Sequence, residues 1–120
     1  MTETSNKIYD LEERTFQFAK RVAIFCKVLP KTATNIEYGK QVIRSSGSIG
    51  ANYIEANEAL SKKDFQMRIK ICRKEAKETV YWLRLIIETN GEESIRDGAP
   101  LLQEATELKK ILSSILEKSS

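Results

Sequence analysis

The sequence predicts an all-α protein, an up-down-up-down antiparallel four-helix bundle, and three observations carry that expectation. Apolar residues recur at three- and four-residue steps in four separate stretches, the pattern of helices that bury one face. Only five Gly and two Pro occur in 120 residues, too few for the frequent turns of a β-sandwich or barrel. The length suits one domain at roughly 100–200 residues per domain, and short connections between four helices make neighbours antiparallel.

Residues 1–9 are polar and carry no capping pattern, so they are expected to form a flexible N-terminal arm ahead of one bundle domain spanning residues 10–118. Asp10 can cap the first helix. In it Leu11, Phe18, Val22, Phe25, Cys26 and Leu29 share a face, Arg14, Lys20, Arg21 and Lys27 take others, and Pro30 stops the run.

Thr34 or Asn35 can cap a second helix reaching about Leu60, with a core stripe of Val42, Ile49, Tyr53 and Ala56. Propensity opposes it: Gly39, Gly47 and Gly50 each cost about 1 kcal/mol relative to Ala, and Ser45, Ser46 and Ser48 compete for backbone hydrogen bonds. The helix is retained because Gly39, Ile43, Gly47, Gly50 and Ile54 fall on one face, where absent side chains let another helix approach.

Ser61 followed by Asp64 opens the strongest helix, from about Lys62 to Thr89, with a stripe of Phe65, Ile69, Cys72, Ala76, Val80, Leu83 and Ile87. Asn90-Gly91 is expected to end it through a left-handed residue. Glu92 to Ala99 reads as a connection, and Pro100 as the first turn of a fourth helix carrying Leu101, Leu102, Ala105, Leu108, Leu112 and Ile115.

Composition narrows function. No stretch approaches the roughly 20 apolar residues of a membrane span, and the N-terminus has neither the basic nor the apolar region of an export signal. Two cysteines, Cys26 and Cys72, are too few for a disulfide scaffold, so free thiols and a cytoplasmic location are expected. Histidine is absent, which removes the commonest general base and metal ligand. Neither an enzyme, a metal nor a cofactor is expected.

Net charge is only +3, yet residues 14–84 carry +9 while residues 1–13 and 85–120 each carry −3. Lys20, Arg21 and Lys27 in the first helix, with Lys63, Arg68, Lys70, Arg73 and Lys77 in the third, are the candidate nucleic-acid-binding residues, since phosphate is the natural counter-ligand of such a surface. A solvated, solubilising face is the other reading of the same charges.

Arg44, Ser48, Asn52 and Glu55 align on one face of the second helix, and Lys74, Glu75, Glu78, Tyr81 and Trp82 lie in the third. They suggest a polar network or interface in which Arg44, beside Ser45, meets Glu75 or Glu78 and fixes helix register. A di-iron-like site built on Glu55 with Glu75 or Glu78 would need Glu-x-x-His motifs, which this chain lacks. Gly47-Ser48-Ile49-Gly50 lacks the ending of a phosphate-binding loop.

These segments also carry a resemblance. RS-x-x-SI-x-AN-x-x-E in the second helix (Arg44 to Glu55) combined with KEA-x-E-x-x-YWL in the third (Lys74 to Leu83) resembles the bundle proteins encoded by intervening sequences inside bacterial 23S ribosomal RNA genes. The chain is similar also to the accessory variability proteins of diversity-generating retroelements. The resemblance implies a non-enzymatic bundle assembled as a homopentameric ring, and, from the retroelement relatives, nucleic-acid binding through a basic surface. A protein-interaction scaffold for a neighbouring gene product is the alternative expectation.

Overall fold

A computed structural model describes the backbone of residues 3–120 and the side chains of residues 11–120. It contains four helices: α1 (Glu3–Lys27), α2 (Ala33–Asn57), α3 (Lys62–Thr89) and α4 (Glu92–Ser119). Each packs on its chain neighbours, and α1 also packs on α4, closing a square in which α1 and α3 lie on one diagonal. The longest dimension is 44 Å, which matches 28-residue helices rising about 1.5 Å per residue. The four-helix bundle expected from periodicity is the observed fold.

The core is the predicted set of stripes. Phe18, Val22 and Phe25 of α1 meet Val42, Ile49 and Tyr53 of α2, Ile69, Cys72, Ala76 and Leu83 of α3, and Leu101, Ala105, Leu108 and Leu112 of α4, all buried. Burial of these side chains, at about 1.5–3 kcal/mol each, supports α2 despite its three glycines. Two of those glycines act as foreseen: Gly39 faces Cys26, and a Cβ on Gly50 would lie 2.8 Å from Thr15 Oγ1. Ile43, Gly47 and Ile54 instead face outward.

Helix ends depart from expectation in instructive ways. The backbone of α1 is helical from Glu3, upstream of the Asp10 cap. Of the expected arm, residues 1–9, Met1 and Thr2 lie outside the described residues, as do the side chains of the rest. At α2 the cap is Thr32, whose hydroxyl accepts the Asn35 N–H at 3.1 Å. Asn35 is therefore free to turn inward, donating to the Pro30 carbonyl at 2.9 Å. α2 ends at Asn57, short of Leu60, whereas Ser61 caps α3 as predicted, accepting from Asp64 N–H at 3.0 Å.

No described residue has a positive φ, so α3 does not end through a left-handed residue. The Asn90 amide takes over that task, donating to the Ile86 carbonyl at 2.8 Å and exchanging two hydrogen bonds with Asn35. Gly91, extended at φ −88°, then caps α4. The expected connection from Glu92 to Ala99 is helical, which places Pro100 inside α4 rather than at its start. Proline inside a helix costs about 3 kcal/mol. Tertiary contact offsets it: Ser94, Gly98 and Leu101 are buried, and Gly98 lies so close to α3 that a Cβ there would sit 2.7 Å from Ile87 Cγ1.

Candidate nucleic-acid interface

Lys63, Lys70, Lys77 and Arg84 occur at seven-residue steps on α3, and all four are exposed. Seven residues are almost two turns, so the four side chains form one row with steps of about 10 Å. Neighbouring contacts fix its direction. Glu75, Thr79 and Trp82 turn toward α2, whereas Gln66 reaches α4, donating to the Ser119 carbonyl at 2.7 Å. The row sits just outside Gln66, on the α4 side of the outer surface, and Arg73 and Lys74 flank it.

The adjoining side of α4 extends the positive field. Gly98 packs between Ile87 of α3 and Phe25 of α1, and Lys109, three turns further along, lies on the flank of α4 away from the side where Glu104 and Glu107 meet α1. Two α4 carboxylates fall elsewhere: Glu104 and Glu107 turn to α1, where Arg14 donates to Glu104 at 2.7 and 2.8 Å and to Glu107 at 3.3 Å. These bonds raise the Arg14 pKa, and hydrogen bonding from Gln103 leads the causes that hold the Glu107 carboxyl below its ordinary value. Among the described residues, Lys63, Lys70, Arg73, Lys74, Lys77 and Lys109 make no ion pair, and Arg84 has only Glu88 at 3.7 Å.

The candidate residues do not form one patch. Lys20, Arg21 and Lys27 are exposed on α1, whose backbone is diagonal to α3 and meets it only through the core, so they lie across the bundle from the α3 row. Arg68 is also apart, turned into the α2–α3 seam with Nη1 donating to Asn52 Oδ1 at 3.3 Å. Arg84 and Lys109 complete the field. Seven-residue spacing could have located Arg84 in the sequence, whereas Lys109 emerges only from how α4 sits against α3.

The α2–α3 seam holds most of the expected polar network. Arg44 Nη2 donates to Glu78 Oε1 at 3.1 Å, and Arg44 Nη1 to Glu75 Oε2 at 3.5 Å. Glu75 is only 8% exposed, and its Oε1, 3.3 Å from Arg44 Nη2, accepts no hydrogen bond. Ser45 and Thr79 hydroxyls meet at 2.8 Å, and Asn52 donates to the Ser48 carbonyl at 2.9 Å. Glu55 and Lys74 point outward. Trp82 fills the seam beside Tyr38, ring centres 5.8 Å apart, with Tyr81 edge-on to it at 5.1 Å. The seam is a packed register lock, and its carboxylates are committed to an arginine.

A different character marks the outer side of the α1–α2 pair. Ile36, Ile43 and Ile54 of α2 and Phe16 of α1, the last 62% exposed, stand on it, with exposed Gly47 between the isoleucines. Beside them lies a groove of 420 Å³ lined by Cys26, Leu29, Pro30, Gly39 and Lys40 among others. Both thiols are unpaired, and burial raises Cys26 to about 11 and Cys72 to about 12. Among the described residues, no cluster of three or more acidic or Cys side chains could hold a metal, and no helix is long and apolar enough to cross a membrane.

The sequence matches the family described as 23S rRNA-intervening sequence protein over residues 7–114, nearly the whole bundle. The chain belongs to this family. A solved structure similar to it is a protein of unknown function from the S23 ribosomal protein family of Bacteroides thetaiotaomicron VPI-5482. The two are 36% identical, with a TM-score of 0.77 over 88% of this chain and 96% of that one. No curated protein matches the sequence. Within this intervening-sequence bundle, the segments 44–55 and 74–83 meet at the α2–α3 seam, where Arg44, Ser45, Glu75 and Trp82 fix the packing.

Proposed function

We propose that this intervening-sequence bundle is a non-enzymatic, cytoplasmic nucleic-acid-binding protein that acts as a homo-oligomer, a pentameric ring being the favoured form. The observation that carries the reading is the α3–α4 face, where Lys63, Lys70, Arg73, Lys77, Arg84 and Lys109 gather while Glu104 and Glu107 of α4 turn to α1. A field of one sign is attractive to phosphate, and its strength derives from clustering more than from the net charge of +3.

Self-association is supported by the apolar side of the α1–α2 pair. Phe16, Ile36, Ile43 and Ile54 leave an uncovered stripe larger than scattered surface apolar residues require. It lies on the opposite side of the bundle from the basic face, so copies joined through it would keep their cations available. Repetition of the basic face around a ring would multiply phosphate contacts without changing any single one.

The test is binding by fluorescence anisotropy to a structured RNA and to DNA of similar length across a salt series, alongside light scattering. Binding at micromolar concentration or tighter, weakening steeply with salt, together with a mass of about 69 kDa for five 13.7 kDa chains, is the expected result. Absence of binding at low salt refutes nucleic-acid recognition, and a mass near that of one chain refutes assembly.

A further inference from the structure

The basic face differs in kind from the surfaces that hold single strands. Proteins that bind single-stranded nucleic acid combine a positively charged groove with aromatic side chains on which successive bases stack. The α3–α4 face offers neither. It is the outside of two packed helices, and its cations run along α3 from Lys63 in the first turn to Arg84, a span of about 31 Å. Its exposed aromatic residue, Tyr81, is 58% exposed and already stands edge-on to Trp82, so no series of stacking platforms exists there.

The row holds no free amide to read adenine, and its one guanidinium, that of Arg84, lies 3.7 Å from Glu88. Between Lys63 and Arg84 the amide side chain nearest the row is Gln66, and it is bound to the Ser119 carbonyl. Asn52, on α2, is held by the Ser48 carbonyl and Arg68. Four cations at steps of about 10 Å, with Arg73 and Lys74 beside them, are anchored in a row along one stiff helix. A duplex presents phosphates at fixed positions along a stiff axis, with a turn of about 34 Å, close to the length of the row. A flexible strand would have to be straightened to meet the same charges.

Resting on the nucleic-acid reading above, we propose that the α3–α4 face binds the sugar-phosphate backbone of double-stranded nucleic acid without reading its sequence, and that Lys63, Lys70, Lys77 and Arg84 each meet a phosphate. The face thereby selects for strand pairing and stiffness, and two duplexes of unrelated sequence are equivalent ligands.

Competition anisotropy with a 20-base-pair RNA duplex, a DNA duplex and each separated strand tests this on the full-length chain. The expected result is duplex binding at least about tenfold tighter than either unstructured strand at equal salt, with two unrelated duplexes agreeing within about threefold. Alanine at all four row positions, each exposed and distant from the core, is expected to lower the slope of log affinity against log salt by roughly 3–4, at about 0.9 per phosphate. Equal or tighter binding of the single strand overturns the duplex assignment and leaves the nucleic-acid reading intact. A strong preference between the duplexes, or an unchanged slope in the alanine variant, overturns it as well. Failure to bind any of the probes overturns both.

Discussion

Gly47 and Gly50 are nearly one turn apart on α2 and look equivalent in the sequence, yet the structure gives their alanine variants opposite signs. A Cβ at Gly47 meets nothing within 4 Å, so Gly47→Ala gains the helix-propensity difference of about 1 kcal/mol. A Cβ at Gly50 would lie 2.8 Å from Thr15 Oγ1 and 3.2 Å from Thr15 Cβ. Thr15 cannot swing aside, because it is buried and its hydroxyl is held at 2.9 Å by the carbonyls of Leu11 and Glu12. α1 must back away, and overpacking of this kind costs about 1–3 kcal/mol. Because the propensity gain is common to both variants, the difference between them isolates the contact at about 2 kcal/mol. That separation corresponds to about 8 °C in melting temperature for a chain of this length. Circular dichroism melts of the two variants at equal protein concentration measure it. Equal stability, or a more stable Gly50→Ala, would refute the claim that close approach to α1 is what holds a glycine at position 50.

Other expectations follow from the seam, the helix ends and the thiols. Arg44→Ala leaves Glu75 buried without its partner and is expected to cost about 2 kcal/mol, while Arg44→Met with Glu75→Leu costs less than the single change; urea titration of both variants decides. Asn90→Asp loses the N–H donors that serve Asn35 and Ile86 and is expected to destabilise by about 1–3 kcal/mol, read as a lower urea midpoint at pH 7. Burial raises Cys72 from an ordinary 9.0 to about 12, so the native thiol resists maleimide at pH 8 and reacts once urea unfolds the chain. Stability from this group is complete below pH 9, where both states are protonated. As pH rises toward 12 the unfolded state loses its proton first, and stability declines. A flatter decline in Cys72→Ala over pH 8–11 is the check.

Periodicity made the four helices and their core legible, because every stripe residue from Leu11 to Leu112 had to face the same interior. Helix ends were less so. Asn90-Gly91 has the composition of a left-handed stop, but the Asn90 amide found a carbonyl in its own helix and a second amide on the adjacent helix, a pairing of residues 35 and 90 that local sequence does not reveal. Pro100 marked a helix start by local rule, and the fit of Gly98 against Ile87 and Phe25 overrode it. The Arg44, Glu75 and Glu78 cluster was visible from spacing. The division of the cations between opposite sides was not, since charge totals ignore which helices are diagonal: the seven-residue row on α3 could be read from spacing, whereas its union with Lys109 depends on packing.

The central claim is that phosphate is met by the α3–α4 face and not by positive charge in general. Two charge-reversed proteins of equal net charge test it directly: Lys70→Glu with Lys77→Glu on α3, and Lys20→Glu with Lys27→Glu on α1, each titrated against the same duplex by anisotropy at physiological salt. Loss of binding in the α3 variant, with the α1 variant retaining most of the wild-type affinity, is the predicted result. Equal losses in the two would contradict the assignment and leave attraction by net charge as the whole effect.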